Sequence, residues 1–260
     1  MKIIAIIPAR LAATRFPNKP MAKIQGIPMI GHCYIRSKLC PLLDETYVAT
    51  CDNVIIEYIE SIGGKAIITA DVHERATERT AEALLNIEKL NPEIKYDIIV
   101  MVQGDEPLVD PDMIREAIEP LLKGDKMVSN LMASLPTQVE RDNSNNVKVV
   151  TNVKGGAIYM SRESIPSNKK FNGDIAAFRQ LGLIAFTRDA LLKFVQLPTT
   201  PLEIIESVDM NRLIENEIPI HMTETKYLAD SVDTLEDLLR VDKKMIVDEL
   251  FQSYKQLVYK

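Results

Sequence analysis

The stretch IIAIIPARLAATRFPNKP, residues 3–20, decides how this chain folds. It opens with five apolar residues in a row, then runs into a loop that carries Arg10, Arg15 and Lys19 with no Asp or Glu among them. A continuous apolar run, rather than an alternating one, reads as a strand buried on both faces. Strands of this kind end at the rim of an α/β sheet, where ligands sit. Three spaced cations at such a rim suit a ligand with several negative charges, because Arg grips phosphate oxygens in a fork and Lys acts as a point charge. The other reading is a solvated basic loop, and these residues alone leave both open.

Working outward, residues 2–8 form the first expected strand, followed by a helix over 29–39 and a strand over 46–50. A helix over 54–62 stops at Gly63–Gly64, and a strand follows over 65–69. Helical periodicity covers 77–90, the run YDIIVMVQGDEP gives a strand ending at Gln103, and 111–122 is a helix with Pro111 in its first turn. Strands alternating with helices imply an α/β fold with a parallel sheet and right-handed crossovers. After residue 125 the pattern changes. Residues 127–135, 146–152 and 156–162 read as short strands with no helix between them, an antiparallel insertion or arm with the character of an oligomer surface. A strand over 181–187, helices over 188–196 and 201–216, a strand over 218–225 and a last helix over 234–258 complete the chain. No repeat, low-complexity tract or linker interrupts it, so a single domain spanning 1–260 is expected.

The chain has 260 residues, 46% hydrophobic and 26% charged, the mix of an ordinary soluble globular protein. A net charge of −6 argues against a nucleic-acid binder, which needs a basic face. It also makes the cationic loop after the first strand stand out. The N-terminal apolar run is too short for a signal-peptide core, and no segment has the length of a membrane span. Cys33, Cys40 and Cys51 form no CxxC pair and fit free thiols in a reducing cytoplasm.

Neither GxxxxGK[ST] nor GxGxxG follows the first strand, so a phosphate cradle here has to use side-chain cations. QGDEP, residues 103–107, places Asp105 just beyond a buried strand on a glycine turn, a natural position for a hard-cation ligand. Helix capping is the competing role, and Asp110 or Asp112 also suits it. In SVDTLEDL, residues 231–238, Asp233 precedes what resembles a capping box of Thr234 and Asp237, so a structural and a functional role are equally open. His73 has no second His at ligand spacing, which disfavours zinc.

IPARLAATRFPNKP, VATCDN, H-x-x-x-T-E-R at 73–79, VQGDEPLV, NNVKVV, AIYMSR, F-R-x-L-G, LPTTPLEIIE and SVDTLEDL together resemble, in order and over nearly the whole chain, the 3-deoxy-manno-octulosonate cytidylyltransferases. The resemblance implies a Rossmann-like, mostly parallel sheet with flanking helices and an antiparallel dimerisation segment at about 128–175. It implies a cytoplasmic homodimer that transfers CMP from CTP to an acidic 3-deoxy sugar with Mg²⁺, for lipopolysaccharide or capsule synthesis. Carried over, Arg10, Arg15 and Lys19 would grip the triphosphate, and Arg75, Thr77 and Arg79 would lie by the nucleotide. Asp105 and Asp233 would hold Mg²⁺, with Lys19 counted beside them as catalytic. Gln103, Tyr159, Arg162, Gln180, Glu203 and Glu206 fall at positions near the sugar. The departures cluster: Arg75–Ala76 stand where the family has Ser-Gly, Gln180 where it has His, and Ile184 where it has Tyr. They point to a modified acceptor such as an 8-amino derivative. A nucleotide binder without turnover, and a transferase acting on another sugar, are the alternatives.

Overall fold

A computed structural model describes residues 1–12, 16–173, 175–227 and 230–258. The chain divides into two compact units, Met1–Arg115 with Ala229–Lys260, and Glu116–Leu228.

The first unit begins with β1 (Ile3–Pro8), in which all six residues are buried. A 3₁₀ turn at Lys19–Met21 follows, then a small hairpin of β2 (Lys23–Ile24) and β3 (Ile27–Pro28). Next come α1 (Met29–Lys38), β4 (Glu45–Thr50), α2 (Asn53–Ser61), β5 (Ala66–Ile68), α3 (Ala76–Leu90), β6 (Ile98–Met101) and α4 (Pro111–Leu122), of which the residues through Arg115 belong to this unit. Four strands pair in parallel in the order β6–β1–β4–β5, with Ile3 opposite Ile98 and Ile4 opposite Glu45. The helices between them pack against these strands, α1 on β4 and β1, α2 on β4 and β5, α3 on all of β1, β4 and β5. This cover on the sheet explains why β1 reads as an unbroken apolar run.

The second unit holds β7 (Val128–Ser134), α5 (Gln138–Asp142), β8 (Lys148–Thr151), β9 (Ala157–Ser161), β10 (Phe178–Thr187), α6 (Arg188–Gln196), α7 (Pro201–Glu206), α8 (Asn211–Glu215) and β11 (His221–Glu224). β11 lies parallel to β7, whereas β7–β10, β10–β8 and β8–β9 are antiparallel. The chain then supplies α9 (Leu235–Ile246) and α10 (Glu249–Val258) to the first unit.

Three expectations need correction. A helix, α5, does separate β7 from β8; Thr137 and Glu140 form its capping box, a T-x-x-E signal present in the sequence. Residues 201–216 form two short helices, because Ser207 adopts a left-handed conformation at φ 52°. The last helix breaks at Val247–Asp248, where the Asp248 carboxylate accepts from Phe251 N at 2.6 Å and from Arg36 Nη1 at 2.7 Å. A carboxylate serving the next helix start and a distant guanidinium competes with helix continuation.

Candidate active site

The C-terminal end of β1, the 3₁₀ turn, the start of α3, the loop after β6 and the segment before α9 line one cavity of about 390 Å³ in the first unit. Arg10, Lys19, Arg75, Arg79, Gln103, Asp105 and Asp233 all face it. Arg15 lies outside the described residues. Thr77 is buried in the first turn of α3, its Oγ1 directed to Met101 Sδ at 3.8 Å, and does not line the cavity.

Each wall has a local cause. Gly104 lets the loop after β6 pass close to β1: a Cβ there would stand 2.8 Å from the Pro8 carbonyl oxygen. That loop is braced further along by Arg36 of α1, a buried side chain whose Nε donates to Val109 O at 2.7 Å. Asp110 Oδ1 accepts from Asp112 N at 2.9 Å at the start of α4, so the capping role falls to Asp110 and leaves Asp105 to the cavity. The chain after β1 is tied to the tip of β4, since Asp52 Oδ2 accepts from Leu11 N at 2.8 Å. This anchor was signalled in the sequence only by the acid in VATCDN.

What brings Asp233 to Asp105 is a second, smaller core. Ile24, Ile27, Met29, Val232, Val241, Met245, Phe251 and Tyr254 pack together, joining the segment after Lys19 to the two C-terminal helices. Gln25, in a left-handed conformation, donates from its backbone N to Asp242 Oδ1 at 2.7 Å and from Nε2 to Oδ2 at 2.9 Å. Val232 N donates to Asp105 O at 2.9 Å, which sets the next residue, Asp233, beside the Asp105 loop. The capping box expected at Thr234 and Asp237 forms, so Asp233 is not the cap. His32, fully buried, adds a brace. A carbonyl can only accept, so Nε2–H donates to Ile24 O at 2.9 Å, and Nδ1 then accepts from Tyr254 Oη at 2.7 Å. Burial lowers the pKa of His32 to about 4 and keeps the ring neutral.

At the centre, Lys19 Nζ donates to Asp105 Oδ2 at 2.7 Å and to Asp233 Oδ1 at 3.3 Å. Burial disfavours the charged form of Lys19 more than any other single influence. The two carboxylates together outweigh it and raise its pKa above the ordinary value. Two acidic oxygens converging on one point that already accommodates a cationic group fit a hard divalent cation. Among the described residues no cluster of three or more His, Cys, Asp or Glu is arranged to hold a metal, so water and phosphate oxygens would have to complete a Mg²⁺ shell. Arg79 is 3% exposed. Its Nη1 donates to Thr69 Oγ1 at 2.6 Å and Ala70 O at 3.0 Å, while its buried Nη2 has no partner among the described residues. A buried guanidinium without a carboxylate fits an incoming anion. Arg10 Nη1 donates to His73 O at 3.4 Å, and His73 in turn pairs with Glu82.

The remaining candidates belong to the second unit and form separate groups. Glu206 accepts from Tyr159 Oη at 2.6 Å, Ser161 Oγ at 2.8 Å and Arg162 N at 2.8 Å. Burial acts to raise the Glu206 pKa, but these donors outweigh it and hold it below the usual carboxylate value. Arg162 Nε returns a bond to Glu206 O at 2.7 Å. Glu203 is fully buried and meets Arg212 with both oxygens at 2.6 Å, so its carboxylate faces a guanidinium. Gln180 donates from Nε2 to Asn130 Oδ1 at 2.8 Å, and Ile184, beyond an irregularity in β10, is buried in the core.

A family profile described as cytidylyltransferase matches residues 4–225. The 3-deoxy-manno-octulosonate cytidylyltransferase of Geobacter metallireducens is 39% identical over 256 residues, covering 94% of this chain and 98% of its own. That of Fusobacterium nucleatum is 39% identical and covers 93% and 96%. A solved structure of CMP:2-keto-3-deoxy-manno-octonic acid synthetase complexed with CTP aligns with a TM-score of 0.85 at 31% identity, covering 95% of this chain and 99% of that one. With the mostly parallel α/β fold and the cationic cavity, these likenesses show that the chain belongs to the cytidylyltransferase family, as a nucleotidyltransferase of the CMP-Kdo synthetase kind.

Proposed function

We propose that this protein transfers CMP from CTP to the anomeric hydroxyl of a 3-deoxy-ulosonic acid, Kdo or a modified Kdo such as 8-amino-Kdo, and releases pyrophosphate, in the service of lipopolysaccharide or capsule synthesis. The observation that supports it most is the convergence of Asp105 and Asp233 on one point of a cavity lined by Arg10, Lys19, Arg75 and Arg79. In the reaction the sugar oxygen attacks the α-phosphorus as the bond to the pyrophosphate oxygen breaks, a step that depends on positioning and charge neutralisation. Arg10, Arg15 and Lys19 bind the triphosphate and stabilise the leaving pyrophosphate. Arg79, buried with a donor unmatched among the described residues, fixes a nucleotide acceptor group. Asp105 and Asp233 hold Mg²⁺, which, when bound, neutralises phosphate charge and lowers the pKa of the attacking hydroxyl.

Gln180, an amide in place of His, and Ile184, which has no hydrogen-bonding group in place of Tyr, support an acceptor other than plain Kdo, since a changed set of donors changes which hydroxyls a site can discriminate. Exposed Val139, Val153, Ile158 and Phe171 within 128–175 support a homodimer through that segment. Among the described residues no helix is long and apolar enough to cross a membrane.

The test is pyrophosphate release with Mg²⁺ and CTP, offering Kdo, 8-amino-Kdo and N-acetylneuraminate in parallel. Turnover on the 8-amino acid above Kdo is expected. A clear preference for Kdo removes the modified acceptor, and silence in every well with CTP still bound favours a binder without turnover.

A further inference from the structure

The contact among Lys19, Asp105 and Asp233 carries a consequence beyond ligand binding by each residue. A Mg²⁺ held by both carboxylates has to lie about 2.0–2.1 Å from their oxygens. The Lys19 ammonium stands 2.7 Å from one of those oxygens and 3.3 Å from the other. A metal that takes these same two oxygens would crowd the ammonium, and two cations cannot share that space, so such a metal has to displace Nζ. The Lys19 side chain is 14% exposed and lies in the cavity wall. Its four-carbon stem allows the ammonium to swing while the backbone stays in the 3₁₀ turn.

We infer that Lys19 is an exchangeable counter-ion that holds the metal's place between Asp105 and Asp233 until metal and nucleotide arrive, and then moves to the triphosphate. The inference rests on the reading above that these carboxylates hold the metal and that CTP enters this cavity. Without metal, the ammonium relieves repulsion between the two acids, and metal alone has to displace it with no new anion to receive it. Without metal, too, a triphosphate competes with the carboxylates for the same ammonium and meets their negative charge. Each ligand therefore binds poorly alone and well after the other. Because linkage is reciprocal, Lys19 raises the coupling between metal and nucleotide by equal factors in both directions. The site thus favours the metal–nucleotide pair over either component.

Mn²⁺ is the probe for the first arm: binding to metal-stripped protein without nucleotide, read from loss of the free-ion electron paramagnetic resonance signal. Lys19→Met should bind Mn²⁺ about tenfold tighter than wild type, within the usual range of coupling between sites. Arg10→Met removes a cavity cation that does not contact the carboxylates, and it should change Mn²⁺ affinity much less. The second arm measures CTP binding in excess chelator by calorimetry. Asp233→Asn should bind CTP several-fold tighter than wild type, because it loosens the hold on Lys19. In the Lys19→Met background the same substitution should give little of that gain. Thermal melting checks that each variant folds, and if Lys19→Met does not, the wild-type and Asp233→Asn comparison decides alone. Unchanged or weaker Mn²⁺ affinity in folded Lys19→Met, or an Asp233→Asn gain in CTP affinity that survives without Lys19, overturns the inference. If wild type binds Mn²⁺ and CTP but the variants shift neither, the inference falls and the transferase reading stands. If wild type binds neither ligand, both fall.

Discussion

In the second unit Glu203 meets Arg212 with both oxygens at 2.6 Å and both side chains buried, and the guanidinium also stacks on Phe194 at 4.2 Å. In the first unit Asp105 and Asp233 meet Lys19 at a cavity wall, with about a third of each carboxylate exposed. Both are acid–base clusters carried by motifs of similar weight in the sequence. The first is closed: a bidentate fork sealed from water, whose disruption leaves a charge uncompensated. The second is open: a point charge on a flexible stem, partly solvated, in a cavity also lined by Arg79, whose buried Nη2 has no partner among the described residues. A closed ion pair holds a fold together, whereas an open one can exchange partners. Residue type does not separate these cases; geometry and solvent access do.

The comparison is broken most severely by Glu203→Ala. It strands Arg212 in the interior and should destabilise the chain by about 3–5 kcal/mol, seen as a large fall in melting temperature. Survival of full stability would mean that this pair is no more closed than the other. Asp105→Asn should do the reverse, lowering turnover on the order of 10²–10³-fold in a pyrophosphate assay while the fold persists. A melting temperature that collapses in parallel would make Asp105 structural.

The His32 brace on the Lys19 side predicts a pH dependence. The folded chain resists protonating His32 until about pH 4, whereas the unfolded chain takes the proton near 6.5. Protons therefore favour the unfolded state across this window. Stability from His32 is complete above pH 6.5 and is lost as the pH falls towards 4, by about 3 kcal/mol. His32→Gln should flatten that part of a melting-temperature profile, and an unchanged profile would contradict a neutral buried ring. The smallest effect is expected from Thr234→Ala, which removes the capping box of α9 but not Asp233. About 1 kcal/mol, or 2–4 °C in melting temperature, should be lost.

Much of the first unit is legible in the sequence. The unbroken IIAII run, the Gly63–Gly64 stop and the alternation of strand and helix through residue 122 identify a parallel α/β unit, because periodicity and turn chemistry act over a few residues. The breaks at Ser207 and Asp248 are not legible there, because helical pattern persists through them. One depends on a left-handed residue and the other on a carboxylate recruited by Arg36, a residue 212 positions away. Glu203 and Asp105 looked equally available, since burial is a property of the packed chain.

The sequence by itself determined the family and the cationic loop after β1, and it set out the candidates for the site. Only the tertiary structure decided which of them meet. Lys19 and Asp233 lie 214 positions apart, and no local preference acts over that distance. Burying Ile24, Ile27, Val232, Met245 and Phe251 in one small core brings the two segments together, and the Val232-to-Asp105 backbone hydrogen bond sets Asp233 at the cavity.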